Sequence, residues 1–127
     1  HTTGMHLLFN EISDRKQLST IDSFSDKDQN FHLRKKGNRY LVETISLLDL
    51  LDKYKAPKYI DYLSIDTEGS EFEILRDFNF DKYTIKFITV EHNHSSLREK
   101  IFDLLNERGY SRVFTDISQV DDWYILR

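Results

Sequence analysis

The stretch "LSIDTEGSEFEIL", residues 63–75, decides the fold, because one pattern of hydrophobicity gives way to another within it. An apolar run ends at Asp66, passes through Gly69 and becomes amphipathic, which is typical of a strand, a tight turn and a helix in an α/β domain. Ser70 and Glu73 have the spacing of a capping box and predict that the helix begins there. Ligands in such domains bind at the carboxyl ends of the strands, so this turn is the first candidate site.

Similar patterns lie on both sides of this stretch. The run "YIDYLSID", residues 59–66, predicts a buried strand, and "RYLVETI" (residues 39–45) and "TIKFITVE" (residues 84–91) predict two more. Ser46 and Asp49 form a capping-box pair that opens a helix over residues 47–54. The alternation of strands and helices predicts parallel crossovers through the middle of the chain.

The carboxy-terminal part follows the same pattern and then departs from it. Ser96 and Glu99 predict a third capping box, opening a helix that Gly109 ends. Two strand-like runs follow, "YSRVFTD" (residues 110–116) and "DDWYILR" (residues 121–127), with no helix between them. They predict a terminal antiparallel pair.

The amino-terminal part is patterned more weakly. A short strand over Met5 to Phe9 is followed by polar residues 10–38 without clear periodicity, which predict a long loop with short helical turns or, alternatively, a disordered segment. We therefore expect one domain over residues 1–127, in which residues 1–39 form a strand and loop and residues 40–127 form the α/β core.

Composition excludes several classes of function. A net charge of −4 argues against a domain that binds nucleic acid, and no apolar run is long enough to cross a membrane. The absence of cysteine from the sequence excludes disulfides and thiolate chemistry and favours a cytoplasmic setting. A basic cluster of Arg34, Lys35, Lys36 and Arg39 is expected to be a solvated surface, with the binding of an acidic substrate as the lesser alternative.

Three segments carry a resemblance to a known family. They are "ETISLLDLL" (residues 43–51), "IDYLSIDTEGSEFEIL" (residues 60–75) and "FITVEHN" (residues 87–93). Together they resemble the carboxy-terminal half of an FkbM-family methyltransferase, which uses S-adenosylmethionine. The resemblance implies part of a class I, Rossmann-like sheet, with parallel central strands and a carboxy-terminal antiparallel pair. It also implies methylation of a hydroxyl on a sugar, glycan or secondary metabolite.

One feature of the family is missing from these residues. The family wraps the cofactor in a glycine-rich loop, whereas the four glycines here are isolated from one another. The chain is therefore interpreted either as a fragment of an active enzyme or as a natural short homologue. The alternative function is a non-catalytic binding or assembly module. Either way we expect the "YLSI" strand to lie at a sheet edge that a homodimer, the first strand or the long loop covers.

The candidate site lies at the ends of two strands. Asp66 and Glu91 are expected at the same sheet edge, on strands ~4.8 Å apart, where proximity would raise the pKa of one carboxyl group. A base must take the proton of the acceptor hydroxyl, and the candidates are Asp66, Glu68, Glu91 and His92, of which the resemblance favours the first two. Asp66 and Gly69 are the candidate cofactor-binding residues.

Other interpretations of these residues stay open. Glu68 is equally well interpreted as a solvated carboxylate that stabilises the following helix. His92 and His94 supply only two zinc ligands, so a solvated loop or helix cap is favoured. Asp66, Glu91 and Asn93 would suit magnesium or calcium by analogy of position with other methyltransferases, but the family resemblance implies no metal.

Overall fold

A computed structural model describes residues 2–26 and 31–127. The amino-terminal part forms a three-stranded antiparallel sheet of β1 (His6–Glu11), β2 (Thr20–Ile21) and β3 (Asn38–Glu43), in the order β2-β1-β3. Two 3₁₀ turns, Lys16–Leu18 and Asp22–Phe24, and the short helix α1 (Phe31–Arg34) lie between its strands. The loop predicted over residues 10–38 thus contains a short strand as well as helical turns; residues 27–30 of it lie outside the described residues.

The connection to the rest of the chain is the helix α2 (Leu47–Lys53). Its predicted cap is confirmed, because Ser46 Oγ accepts a hydrogen bond from the Asp49 backbone N–H at 3.1 Å. The strand before it pairs with β1 along its whole length, with Leu8 opposite Leu41. The prediction that this strand belongs to the parallel sheet is therefore wrong.

The second sheet is mixed and has the strand order β4-β5-β7-β6. Its strands alternate with two helices in the chain, as predicted: β4 (Tyr59–Ile65), α3 (Glu71–Arg76), β5 (Thr84–Glu91), α4 (Arg98–Glu107), β6 (Tyr110–Val113) and β7 (Asp121–Leu126). The pair β4 and β5 is parallel, and both pairs that involve β7 are antiparallel. The terminal antiparallel pair is confirmed, and β7 lies inside the sheet between β5 and β6.

Helices α3 and α4 supply the apolar side chains that cover the four-stranded sheet. Leu75 and Leu105 are fully buried against Ile85, Ile88 and Tyr124. Gly109, with φ of +89°, ends α4 in the left-handed region that favours glycine. The predicted capping box at Ser96 and Glu99 is wrong: α4 begins two residues after Ser96, and its N-cap makes no side-chain hydrogen bond.

The strand β4 is less buried than its sequence suggests. It pairs with β5 on one side, and within the described residues no other strand pairs with it. Tyr59 and Tyr62 are exposed, so the prediction of a buried strand is wrong. No helix in residues 2–26 and 31–127 is long and apolar enough to cross a bilayer.

Candidate functional site

The turn after β4 is shaped by one glutamate. Glu71 Oε1 accepts hydrogen bonds from the Thr67 backbone N–H at 2.9 Å, from the Thr67 hydroxyl at 2.9 Å and from the Gly69 backbone N–H at 3.0 Å. Ser70 donates to the Thr67 hydroxyl instead of capping α3. The predicted Ser70–Glu73 capping box is therefore wrong, because Glu71, inside the helix, satisfies the turn's donors.

This turn brings three carboxyl groups together. Ile65 pairs with Val90 in parallel register, so Asp66 and Glu91 follow at the same sheet edge, as predicted. Carboxylate oxygens of Asp66, Glu68 and Glu91 all lie within 4.8 Å of one another. Glu68 reaches the group from a backbone with φ of +57°, which non-glycine residues rarely adopt and which is concentrated at functional sites. We refer to these three residues as the acidic cluster.

Glu91 has a strongly raised pKa. Burial, hydrogen bonding to Asp66 and the negative charges of Asp66, Glu68 and Glu71 raise the pKa of Glu91 to about 8. The prediction that proximity raises the pKa of one carboxyl group is thus confirmed. Near neutral pH, Glu91 holds a proton, and above pH 8 it becomes a carboxylate of unusual basicity.

Glu68 lies in a buried ion pair. Its carboxylate accepts a hydrogen bond from Arg34 Nη2 at 2.7 Å, and its backbone carbonyl accepts one from the Thr20 hydroxyl at 2.7 Å. The Arg34 side chain is fully buried. The interpretations of Glu68 as a solvated carboxylate and of Arg34 as part of a solvated cluster are therefore both wrong.

His92 follows Glu91 and lies next to the acidic cluster. It is buried, and its Nδ1 accepts a hydrogen bond from the His94 backbone N–H at 3.0 Å, which assigns the ring proton to Nε2. Nε2 lies 3.7 Å from Asp122 Oδ1, and burial lowers the pKa of His92. The ring is therefore a neutral imidazole that orders the loop after β5, and the expectation of a solvated loop is wrong at this residue.

A cleft of about 330 Å³ opens beside Glu91. Phe24 and Leu97 give it apolar walls, and Asn93, Ser95 and Ser96 are among its polar lining residues. Gly69, with φ of +121°, packs directly against one wall: a Cβ there would lie 3.0 Å from Phe24 Cβ. Glycine is required at this turn for its φ and because the Phe24 side chain occupies the space above it.

The carboxylates of the site are predictable from the sequence, but the residues that surround them are not. Thr20 lies on β2, Phe24 and Arg34 lie between β2 and β3, and the contacts of all three cross 30 or more positions of sequence. The sequence marks Arg34 as part of an isolated Arg-Lys-Lys run, and the spacing of that run does not distinguish a buried arginine from an exposed one.

Comparison with known proteins gives one match. A family model described as "Methyltransferase FkbM domain" matches residues 2–112 of the 127 residues. Searches of curated proteins and of solved structures find no match. The matched region includes the whole acidic cluster and both sheets, apart from β7 and the end of β6.

Proposed function

Because the chain belongs to the FkbM family of methyltransferases, we propose that it takes part in methyl transfer from S-adenosylmethionine to a hydroxyl of a sugar or secondary metabolite. The observation that carries the proposal is the Asp66–Glu91 pair, which lies at the ends of two parallel strands and next to a cleft. We also propose that β4, β5, β7 and β6 form the carboxy-terminal half of a Rossmann-like sheet.

The residues present fit part of the cofactor. S-adenosylmethionine has a sulfonium cation and ribose hydroxyls, and carboxylates such as exposed Asp66 attract the first and accept hydrogen bonds from the second. The turn at Gly69 is closed by Phe24, so this glycine supports the wall of the cleft. We therefore assign Asp66 to the cofactor and Gly69 to the geometry of the turn.

The proposed mechanism uses Glu91 as the base. When bound, S-adenosylmethionine would supply an electrophilic methyl group, and breaking of its sulfur–methyl bond would leave S-adenosylhomocysteine. The Glu91 carboxylate takes the proton of the acceptor hydroxyl as its oxygen attacks, and the raised pKa of Glu91, about 8, makes it a better base than an ordinary carboxylate. Asp66 accepts a hydrogen bond from protonated Glu91 and, being exposed, provides the route by which that proton reaches solvent.

The first test is isothermal titration of S-adenosylhomocysteine, the demethylated cofactor, into the chain. We expect a dissociation constant in the micromolar range, and we expect Asp66→Ala to abolish the heat change because the carboxylate is lost. Asp61→Ala is the matched control, since Asp61 is an exposed aspartate on β4 outside the cluster. The absence of heat up to millimolar ligand would contradict cofactor binding by these residues.

A second candidate function, an assembly module, is favoured by the outer edge of β4, with which no strand of the described part of the chain pairs. An exposed strand edge presents unpaired backbone N–H and C=O groups that pair readily with another strand. Antiparallel pairing of two copies centred on Tyr62 would place Lys58 opposite Asp66 of the second copy, so the charges at the two ends of the strand are complementary. The occupant that we propose is therefore a second copy of this chain.

Light scattering coupled to size-exclusion chromatography tests this candidate. We expect dimers, and we expect Tyr59→Lys to weaken dimerisation more than tenfold, because a solvated lysine blocks strand pairing. Tyr54→Lys is the matched control, since Tyr54 and Tyr59 are 72% and 71% exposed but Tyr54 lies off the edge. A protein that stays monomeric at hundreds of micromolar would exclude the module.

A further inference from the structure

The buried pair of Arg34 and Glu68 joins the amino-terminal sheet to the candidate site. The Arg34 guanidinium donates through Nη2 to Glu68 Oε2 at 2.7 Å and through Nε to the Leu18 carbonyl at 2.8 Å. Hydrogen bonds to charged groups are about twice as strong as neutral ones, and a buried arginine has its orientation fixed by several partners. The Glu68 carboxylate is held in place by a residue 34 positions earlier in the chain.

The position of Arg34 is itself fixed by the first sheet. Its backbone carbonyl accepts a hydrogen bond from Asn10 Nδ2 at 3.0 Å, and Asn10 is a fully buried residue of β1. The Thr20 hydroxyl, from β2, holds the Glu68 carbonyl on the other side. Residues of β1 and β2 in the first sheet thus fix the position of Glu68, which belongs to the site at the edge of the second sheet.

The charge of Arg34 is as important as its position. Among the described residues, the titratable groups around Glu91 include the carboxylates of Asp66 after β4, Glu68 in the turn, Glu71 on α3 and Asp121 opposite it on β7. His92, which follows Glu91, is a neutral imidazole. Glu68 is the carboxylate in this set that forms an ion pair with Arg34. Without the guanidinium, the full charge of Glu68 would act on Glu91 through a partly buried site, where charges are poorly screened.

We propose that Arg34 is a positioning residue for the acidic cluster: it holds the Glu68 carboxylate in place and offsets its charge, so that Glu91 can ionise. The role assigned to Glu91 rests on the proposed function, but the ion pair and its effect do not. The proposal makes the segment between β2 and β3 part of the working site.

The test is an NMR titration of the Glu91 side-chain carboxyl carbon in the parent chain and in variants. Arg34→Met is expected to raise the apparent pKa of Glu91 by about one unit, because Glu68 is then uncompensated, whereas Glu68→Gln is expected to lower it by a similar amount. The opposite signs matter, because loosening of the structure alone would move Glu91 in the same direction in both variants. Shifts of the same sign, or no shift in a folded Arg34→Met chain, would overturn the proposal.

Two further variants keep the test decisive. Arg39→Met is the matched control, since Arg39 forms an exposed ion pair with Asp22 at 2.7 Å, and it should leave the pKa of Glu91 unchanged. If Arg34→Met fails to fold, the neutral pair Arg34→Met/Glu68→Gln replaces it and is compared with Glu68→Gln alone. Loss of the arginine should then raise the pKa of Glu91, and an unchanged value would overturn the proposal. Because no cofactor or acceptor is used, the result is independent of whether the chain transfers methyl groups.

Discussion

Glu91→Gln is expected to lower kcat for methyl transfer by ~10²- to 10⁴-fold, the usual contribution of a positioned general base. Glutamine has the size of glutamate but cannot take the proton of the acceptor hydroxyl. The parent rate should rise with pH and level off above pH 8, as Glu91 loses its proton. The variant should retain a low rate that does not change over this range. Methyl transfer is measured with radiolabelled S-adenosylmethionine and an acceptor.

Stability provides the control for this variant. The folded chain holds Glu91 protonated to about pH 8, whereas the unfolded chain releases that proton near pH 4.5. The folded state therefore binds more protons between these values, and the stability that Glu91 contributes falls as the pH rises through them. A neutral glutamine removes this loss, so the variant should be at least as stable at pH 8 as the parent chain. Unchanged turnover by a folded variant would exclude Glu91 as the base.

Leu105→Ala is expected to lower the free energy of unfolding by about 2–5 kcal/mol, a large part of the total for a domain of this size. Leu105 lies on α4, is fully buried and belongs to the core that packs on the four-stranded sheet. Truncation removes apolar contacts and leaves a cavity that its close-packed neighbours cannot fill. Urea denaturation followed by circular dichroism measures the change.

Leu50→Ala is the matched control on another helix. Leu50 lies on α2, outside that core, and is 37% exposed, so its truncation should cost much less than that of Leu105. Equal losses in the two variants would mean that α4 does not cover the core of the sheet.

The sequence predicts the four-stranded sheet better than the rest of the fold. The sequence predicts β4, β5 and the pair of β6 and β7 because turn residues bound their alternating or continuous apolar runs over short distances. The meeting of Asp66 and Glu91 follows from the same pattern, since parallel strands end at one edge. The periodicity of apolar residues indicates local structure. The strands of this sheet and the meeting of the two carboxylates depend mainly on that local structure.

The remaining features depend on tertiary contacts. The pairing of β3 with β1 rather than β4 joins segments more than 25 residues apart, and nothing in either strand specifies its partner. Ser70 and Ser96 match a capping motif. At Ser70, however, the Glu71 carboxylate accepts the hydrogen bonds of the turn's backbone N–H groups. The sequence predicts Arg34 on the surface because arginine is rarely buried unless paired, and its partner is 34 positions away.

The position of β7 has a consequence for synthesis. It lies between β5 and β6, although both precede it in the chain, so neither can complete its pairing until residues 121–126 are available. A nascent chain that has left the ribosome only as far as β6 would expose one side of β5, with its apolar residues, to other chains. The sheet should therefore form late and cooperatively, and ribosome-bound intermediates that end before residue 121 should need the protection of a chaperone.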